Sequence, residues 1–172
     1  MTPTPDQDAR YREAAETFGP ALQRLAGAFE ANAERRRDLL QDIHVALWRS
    51  LAAFDGRCSL KTWVYRVAHN TAASHVDRER RRHQGAVSLE AAADLPAPLS
   101  LAADLEASDA LARLHAWIRA LKPPDRQLLT LYLEDLAAAE IADITGLTPG
   151  AVATRISRLK TQLAADFKEP AR

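Results

Sequence analysis

The sequence holds a single cysteine, Cys58, so no disulfide framework can form within the chain. Its five histidines are scattered and have no cysteine pair beside them, which argues against a structural zinc site or any other metal centre. No run of about 18 uncharged apolar residues is present, so no membrane insertion is expected. The opening residues, MTPTPDQDAR, lack the basic-then-apolar order of a secretory signal, and a cytoplasmic location is the expectation. No nucleophile and base at useful spacing, phosphate-binding glycine loop or carboxylate pair can be found, so neither an enzyme nor a cofactor is expected. No segment alternates polar and apolar residues as a half-buried strand does. What remains is a chain of 172 residues, 47% apolar and 27% charged, a composition that folds.

Net charge is also lacking, and the zero conceals a segregation. Between Arg57 and Arg82 there are seven basic residues (Arg57, Lys61, Arg66, Arg78, Arg80, Arg81, Arg82) against two acidic ones (Asp77, Glu79). From His83 to Leu111 there are five acidic residues and no lysine or arginine. One surface is thus prepared for a polyanion and the segment after it is not.

Proline is absent between Ala21 and Leu95, and glycines at Gly27, Gly56 and Gly85 divide that span into helical blocks. Leu39, Ile43, Leu47, Leu51 and Phe54 recur at spacings of four, four, four and three, the period of an amphipathic helix. Leu60, Val64, Val67 and Thr71 repeat the pattern beyond Gly56, with Ser59 placed to cap the helix. GAVSLEAAADLPAPLSLAAD then loses any sustained apolar period and reads as a flexible acidic linker. A second helical set runs from about Leu105 to Phe167, broken at Lys122-Pro123-Pro124, at Glu134-Asp135 and at Gly146. The fold expected is all-α, with two small helical domains, residues 1–83 and 105–172, joined by a linker over 84–104.

The stretch AEIADITGLTPGAVATRISRLK has the form of a helix-turn-helix. Gly146 supplies the positive φ of the turn, Ala142 is small where the helices cross, Thr148 caps the second helix and Pro149 occupies its first position. At about 100° per residue, Val152, Ile156, Leu159 and Leu163 share one stripe, the buried one. Gly150, Thr154, Ser157 and Thr161 lie opposite, flanked by Ala153 and Arg158. Such a small, polar and positive face suits close approach to a duplex major groove. Arg155 sits nearer the apolar stripe and is assigned to a backbone phosphate or an internal ion pair.

DLLQDIHVALWRSLAAFDGRCSLKTWVYRVAHNTAASHV resembles the second region of extracytoplasmic-function sigma factors, the smallest members of the sigma-70 family. LKPPDRQLLTLYLEDLAAAEIADITGLTPGAVATRISRLKTQL resembles their fourth region. The resemblance implies a dissociable subunit that directs core RNA polymerase to promoters. Its first domain would bind the clamp helices of the largest catalytic subunit and open the minus-10 element; the second would read the minus-35 element and sit on the β-subunit flap. By the match to the family's docking motif, DLLQD assigns polymerase binding to Asp38, Gln41 and Asp42. The triplet ahead of it, usually acidic-rich in the family, is Arg35-Arg36-Arg37 here. The resemblance further implies a base pocket formed by Asn70 with Arg57, Cys58 and Ser59, while Lys61, Tyr65 and Arg66 follow the strand and Arg78, Arg80, Arg81 and Arg82 meet upstream phosphates. Rings, amides and a cationic rim are the groups that hold an unstacked base. Trp63, near the apolar stripe, has a core role as an equal alternative. Minus-35 contact is assigned to Thr148, Gly150, Ala151, Ala153, Thr154, Arg155, Ser157 and Arg158. In the family a basic residue often stands where this chain has Ala153, which shifts readout onto Thr154, Ser157 and Arg158.

An anti-sigma protein is a further candidate partner. Two rival readings are a helix-turn-helix repressor, which has no use for the second-region match, and a sigma-mimicking adaptor that sequesters an anti-sigma protein, which would not be expected to keep the basic surface.

Overall fold

The computed structural model describes residues 5–85 and 102–168. Their backbone forms seven helices: α1 (Pro5–Phe29), α2 (Ala33–Leu51), α3 (Leu60–Gly85), α4 (Ala102–Ala120), α5 (Pro123–Leu133), α6 (Ala138–Thr145) and α7 (Pro149–Lys168). No strand occurs among the described residues, in keeping with the all-α expectation. Most of the expected linker lies outside the described residues. At its ends the helices run further than expected, α3 reaching Gly85 and α4 starting at Ala102.

The helices begin and end where local chemistry dictates. Asn32 caps α2 by accepting the Glu34 and Arg35 N–H groups at 3.0 Å each. Ser59 Oγ accepts the Thr62 N–H at 3.1 Å, so the cap expected for α3 is present. Pro123 and Pro124 open α5, where a missing N–H costs no helical bond. Helix α1 departs from the punctuation rule by running through Gly19 and Pro20. The proline and the Glu16 carbonyl it leaves without its usual partner are both on the exposed side. On the other side α1 buries Ala14, Leu22, Leu25, Ala26 and Phe29, and that burial outweighs one helical bond.

Two apolar clusters hold the helices together. The larger joins the inner faces of α1, α2 and α3, through Leu22, Leu25, Leu39, Ile43, Leu47, Leu51, Val64 and Ala68, to Ile118 of α4, Leu129 of α5 and Leu159 of α7. The smaller packs Leu128, Leu131, Ile141, Ile144, Val152 and Ile156 around Ala21 of α1 and Tyr65 of α3. Residues expected in separate domains therefore share both clusters. Polar links cross the same seam: Arg119 Nη1 donates to the Gly27 carbonyl at 3.0 Å, and the Arg126 guanidinium lies 5.3 Å from the Phe29 ring centre.

Candidate nucleic-acid interface

Helix α7 is set at a defined angle on α6 by the turn between them. Gly146 adopts φ 77° and its N–H bonds the Ala142 carbonyl at 2.8 Å, the left-handed ending that a side chain would strain. Thr148 Oγ1 accepts the Ala151 N–H at 3.2 Å and Pro149 follows. Val152, Ile156 and Leu159 are buried, which fixes the rotation of α7. Thr148, Gly150, Ala153, Thr154, Ser157 and Arg158 are exposed, and Ala151 is half-covered. Thr154 donates its hydroxyl proton to the Gly150 carbonyl at 2.9 Å, which leaves the oxygen free to accept. Arg155 turns inward and donates from Nε and Nη2 to Asp125 Oδ1 at 3.2 and 2.7 Å, the internal ion pair rather than the phosphate contact. Arg158 remains 61% exposed, with Nη2 3.8 Å from Asp125 Oδ2, close enough to be steered but free to reach outward.

The loop before α3 is shaped by Asp55, whose Oδ1 accepts the Arg57 N–H at 3.1 Å, and by Gly56 at φ 76°. It leaves Arg57 exposed and Cys58 half-covered at the edge of a cleft of about 610 Å³ that Ser59 and Arg66 also line. Trp63 resolves toward the core: its Nε1 donates to Ser50 Oγ at 2.9 Å and its ring meets Phe54 edge-on at 5.3 Å. Tyr65, expected along the strand, is only 4% exposed because α5 and α6 pack over it, and burial pushes its hydroxyl up to about 12. Lys61 and Arg66 also meet α6, Lys61 Nζ at 2.8 Å from Glu140 Oε1 and Arg66 Nη2 at 2.5 Å from the Asp143 carbonyl. Asn70 stands apart from the loop. It lines a shallow groove between α2 and α3 with Asp42, Val45, Arg49, Ser74 and Arg78. The structure thus brings Arg57, Cys58 and Ser59 together but places Asn70 beside the expected docking face. Arg80, Arg81 and Arg82 are exposed along the end of α3, and Arg82 pairs with Glu79 at 3.1 Å.

On α2, Asp38, Gln41 and Asp42 are exposed side by side, opposite the buried Leu39, Ile43 and Leu47. The preceding arginines are partly used within the chain. Arg35 Nε lies 3.3 Å from Glu30 Oε2, and Arg36 is half-covered near Gly27 and His115, whose imidazole is lowered by burial and then by the charges of Arg119 and Arg36. Arg35 and Arg37 are both exposed. The acceptors Asp125, Glu140 and Asp143 were not foreseen, since each meets its arginine or lysine across 30 to 79 positions of sequence.

These two surfaces lie in segments that match known families. The family model described as Sigma-70 region 2 matches residues 14–82, and that described as Sigma-70, region 4 matches residues 111–163. The RNA polymerase sigma-H factor of Pseudomonas aeruginosa is 31% identical over 141 residues, covering 77% of this chain and 72% of that protein. The chain belongs to the sigma-70 family. Within it, the relatives point to the extracytoplasmic-function group. The RNA polymerase sigma factor CnrH of Cupriavidus metallidurans is 30% identical over 159 residues, covering 86% of this chain and 81% of its own length. The extracytoplasmic-function sigma factor SigW of Bacillus subtilis is 23% identical and aligns with 95% of this chain and 91% of that protein. The fold agrees: the sigma factor RpoE of Bartonella quintana, solved with the anti-sigma factor NepR, superposes with a TM-score of 0.72 at 21% identity, over 94% of this chain and 98% of that one. CnrH solved with the cytosolic domain of CnrY gives 0.68 at 23% identity, over 94% and 89%. This sigma factor is therefore an RNA polymerase initiation subunit of the extracytoplasmic-function type. No helix among the described residues is long and apolar enough to cross a membrane.

Proposed function

We propose that the sigma factor divides promoter work between its two matched regions, with residues 1–83 as the polymerase-docking and minus-10 unit and 105–172 as the minus-35 unit. The face of Asp38, Gln41 and Asp42 docks on the clamp helices of the largest polymerase subunit. Asn70, adjoining that face, takes an unstacked minus-10 base where the polymerase holds the strand, and the loop of Arg57, Cys58 and Ser59 lines the path beside it. Lys61, Arg66 and the arginines from Arg78 to Arg82 neutralise phosphates. Helix α7 enters the minus-35 major groove, and its region contacts the β flap.

The observation that carries this reading is the rotation of α7. With Val152, Ile156 and Leu159 buried, Thr154, Ser157 and Arg158 face outward on a helix that begins in a helix-turn-helix, the geometry of groove entry. An anti-sigma protein is a further proposed partner, because the sigma factor RpoE, which has the same fold, was solved bound to the anti-sigma factor NepR. Purified chain is mixed with core polymerase, followed by gel filtration and by sequencing of the transcripts made from genomic DNA. Co-migration and a discrete set of start sites are expected. A chain that elutes apart from core polymerase would remove the reading.

A further inference from the structure

Between α3, α5 and the turn that joins α6 to α7 lies a cavity of about 410 Å³, the size of a small-molecule site. Phe29, Leu128 and Leu147 make its walls largely apolar, and Pro123 and Pro124 stand at the rim without an N–H to offer. His69 of α3 brings a buried polar group to this lining. It is 1% exposed and neither ring nitrogen has a hydrogen-bond partner, whereas buried polar groups are ordinarily paired. The other polar groups around it are committed elsewhere. Thr145 Oγ1 donates to the Ile141 carbonyl at 2.8 Å, and Arg155 is held by Asp125 at 2.7 Å. Arg126, beside the Phe29 ring, donates to the Arg119 and Leu121 carbonyls. Gln127 is a half-covered amide at the mouth.

We propose that this cavity binds a small, flat aromatic molecule carrying one neutral hydroxyl or ring N–H, which donates to the bare ring nitrogen of His69. Burial lowers the imidazole to about 3, so at neutral pH the ring is uncharged, with one nitrogen able to accept and one N–H able to donate. An ionised ligand does not fit. Arg155, the charged residue of the lining, already faces Asp125, so a carboxylate or ammonium taken inside would be desolvated without a partner. Flatness follows from the walls. The Phe29 and His69 rings meet at 73° with their centres 5.7 Å apart, a corner against which a third ring packs offset or edge-on. Water is the poorer occupant, because it needs two to four polar partners and the apolar walls beside His69 supply few. A ligand that binds the folded chain alone also raises its melting temperature.

The test uses the full chain with indole and indene, two probes of the same fused-ring shape of which only indole has an N–H. Titration of isotope-labelled protein with indole should shift the amide resonances of Ala73, Gln127 and Leu147, with a dissociation constant of about 0.1–1 mM, the range for so small a ligand. Indene leaves His69 unpartnered and should bind about five- to tenfold more weakly. His69→Leu removes the acceptor and should bring the two probes to the same affinity. Ala73 is exposed at the rim, so Ala73→Phe should cover the mouth and weaken indole at least about tenfold, with circular dichroism unchanged. If His69→Leu does not fold, the indole-to-indene ratio of the wild type and the Ala73→Phe result decide the matter. A cavity that holds water alone would leave the amide spectrum unmoved at about 5 mM indole, which would overturn the proposal. Equal affinity of the wild type for both probes would overturn the role of His69, and indole binding untouched by Ala73→Phe would overturn the assignment to this cavity.

Discussion

Arg78 Nη2 of α3 lies 2.9 Å from Asp42 Oδ2 of α2, so a residue of the proposed docking face and a residue of the proposed phosphate-binding row are partners in the free chain. Both are about half exposed, and such a pair contributes about 0–1 kcal/mol to stability. Removing it should barely move the melting temperature, so any large effect of a change at Asp42 reports on docking. Asp42→Arg should weaken the complex with core polymerase about tenfold or more, measured by titration of labelled core. The charge swap Asp42→Arg with Arg78→Asp restores the internal pair. If docking is what Asp42 does, the swap leaves polymerase binding weak, and recovery of wild-type affinity would sink the assignment.

Asn70 gives a second prediction. It is exposed in the groove it shares with Asp42 and Arg78, so a polymerase docked on α2 would place an unstacked base within reach of its amide. Asn70→Ala should leave polymerase binding intact and lower open-complex yield on a duplex promoter about tenfold, the scale of one good amide–base contact. A promoter with a pre-melted bubble should recover part of the loss. Equal permanganate reactivity of unpaired thymines with mutant and wild type would remove Asn70 from strand capture.

Much of this architecture can be read before any coordinates, because the periods of four and three in Leu39, Ile43, Leu47 and Leu51 and in Val152, Ile156 and Leu159 are local statements about single helices. The turn at Gly146 and the caps at Ser59 and Thr148 are equally local. Helix α1 escaped because Pro20 reads as a boundary, and only burial of residues such as Leu22 and Leu25 against other helices makes an unbroken helix worthwhile. Contacts between distant segments escaped for the same reason. Nothing within a few residues of Lys61, Tyr65 or Arg155 indicates Glu140, the α5 and α6 leucines and isoleucines, or Asp125 as their neighbours. Trp63, with a core alternative from the start, settles on Ser50 and Phe54.

Arg158 carries the third prediction. It is the long cationic side chain on the outward face of α7, while Arg155 is held by Asp125. If Arg158 reads a guanine edge with two bonds, Arg158→Ala should cost about 1–3 kcal/mol and relax preference at one promoter position. A phosphate contact would instead give similar losses on every sequence and reduce the salt slope by about one. We expect the first pattern, because Ala153 leaves that face few other side chains long enough to reach a base. Competition of holoenzyme against single-base minus-35 variants at two salt concentrations separates the two. Unchanged affinity, selectivity and salt slope would mean that another surface meets the duplex.

The last prediction concerns acid. His69 is 1% exposed, its ring packs edge-on to Phe29 at 5.7 Å, and neither ring nitrogen has a hydrogen-bond partner. Burial lowers its imidazole to about 3, against the ordinary 6.5 that it regains on unfolding. Below 6.5 the unfolded chain therefore binds a proton that the folded chain refuses, so this contribution to stability is complete above that pH. It is lost as pH falls toward 3, with a slope of at most about 1.4 kcal/mol per pH unit. His44, lowered by burial, and His115 add smaller losses of the same sign. Glu30 acts in a lower window. Burial alone would raise its carboxyl, but the hydrogen bond to His75, the Asn32 N–H and the Arg35 charge outweigh it, so its contribution disappears only as pH falls below about 4.5. Urea unfolding between pH 7.5 and 5 thus isolates the histidines. His69→Leu gives up no hydrogen bond, so it should be at least as stable as wild type at pH 7.5 and should show a visibly shallower decline toward pH 5. Parallel curves for the two chains over that range would show that His69 accepts its proton without leaving the fold, and that the seam between α3 and α5 opens more readily than its packing implies.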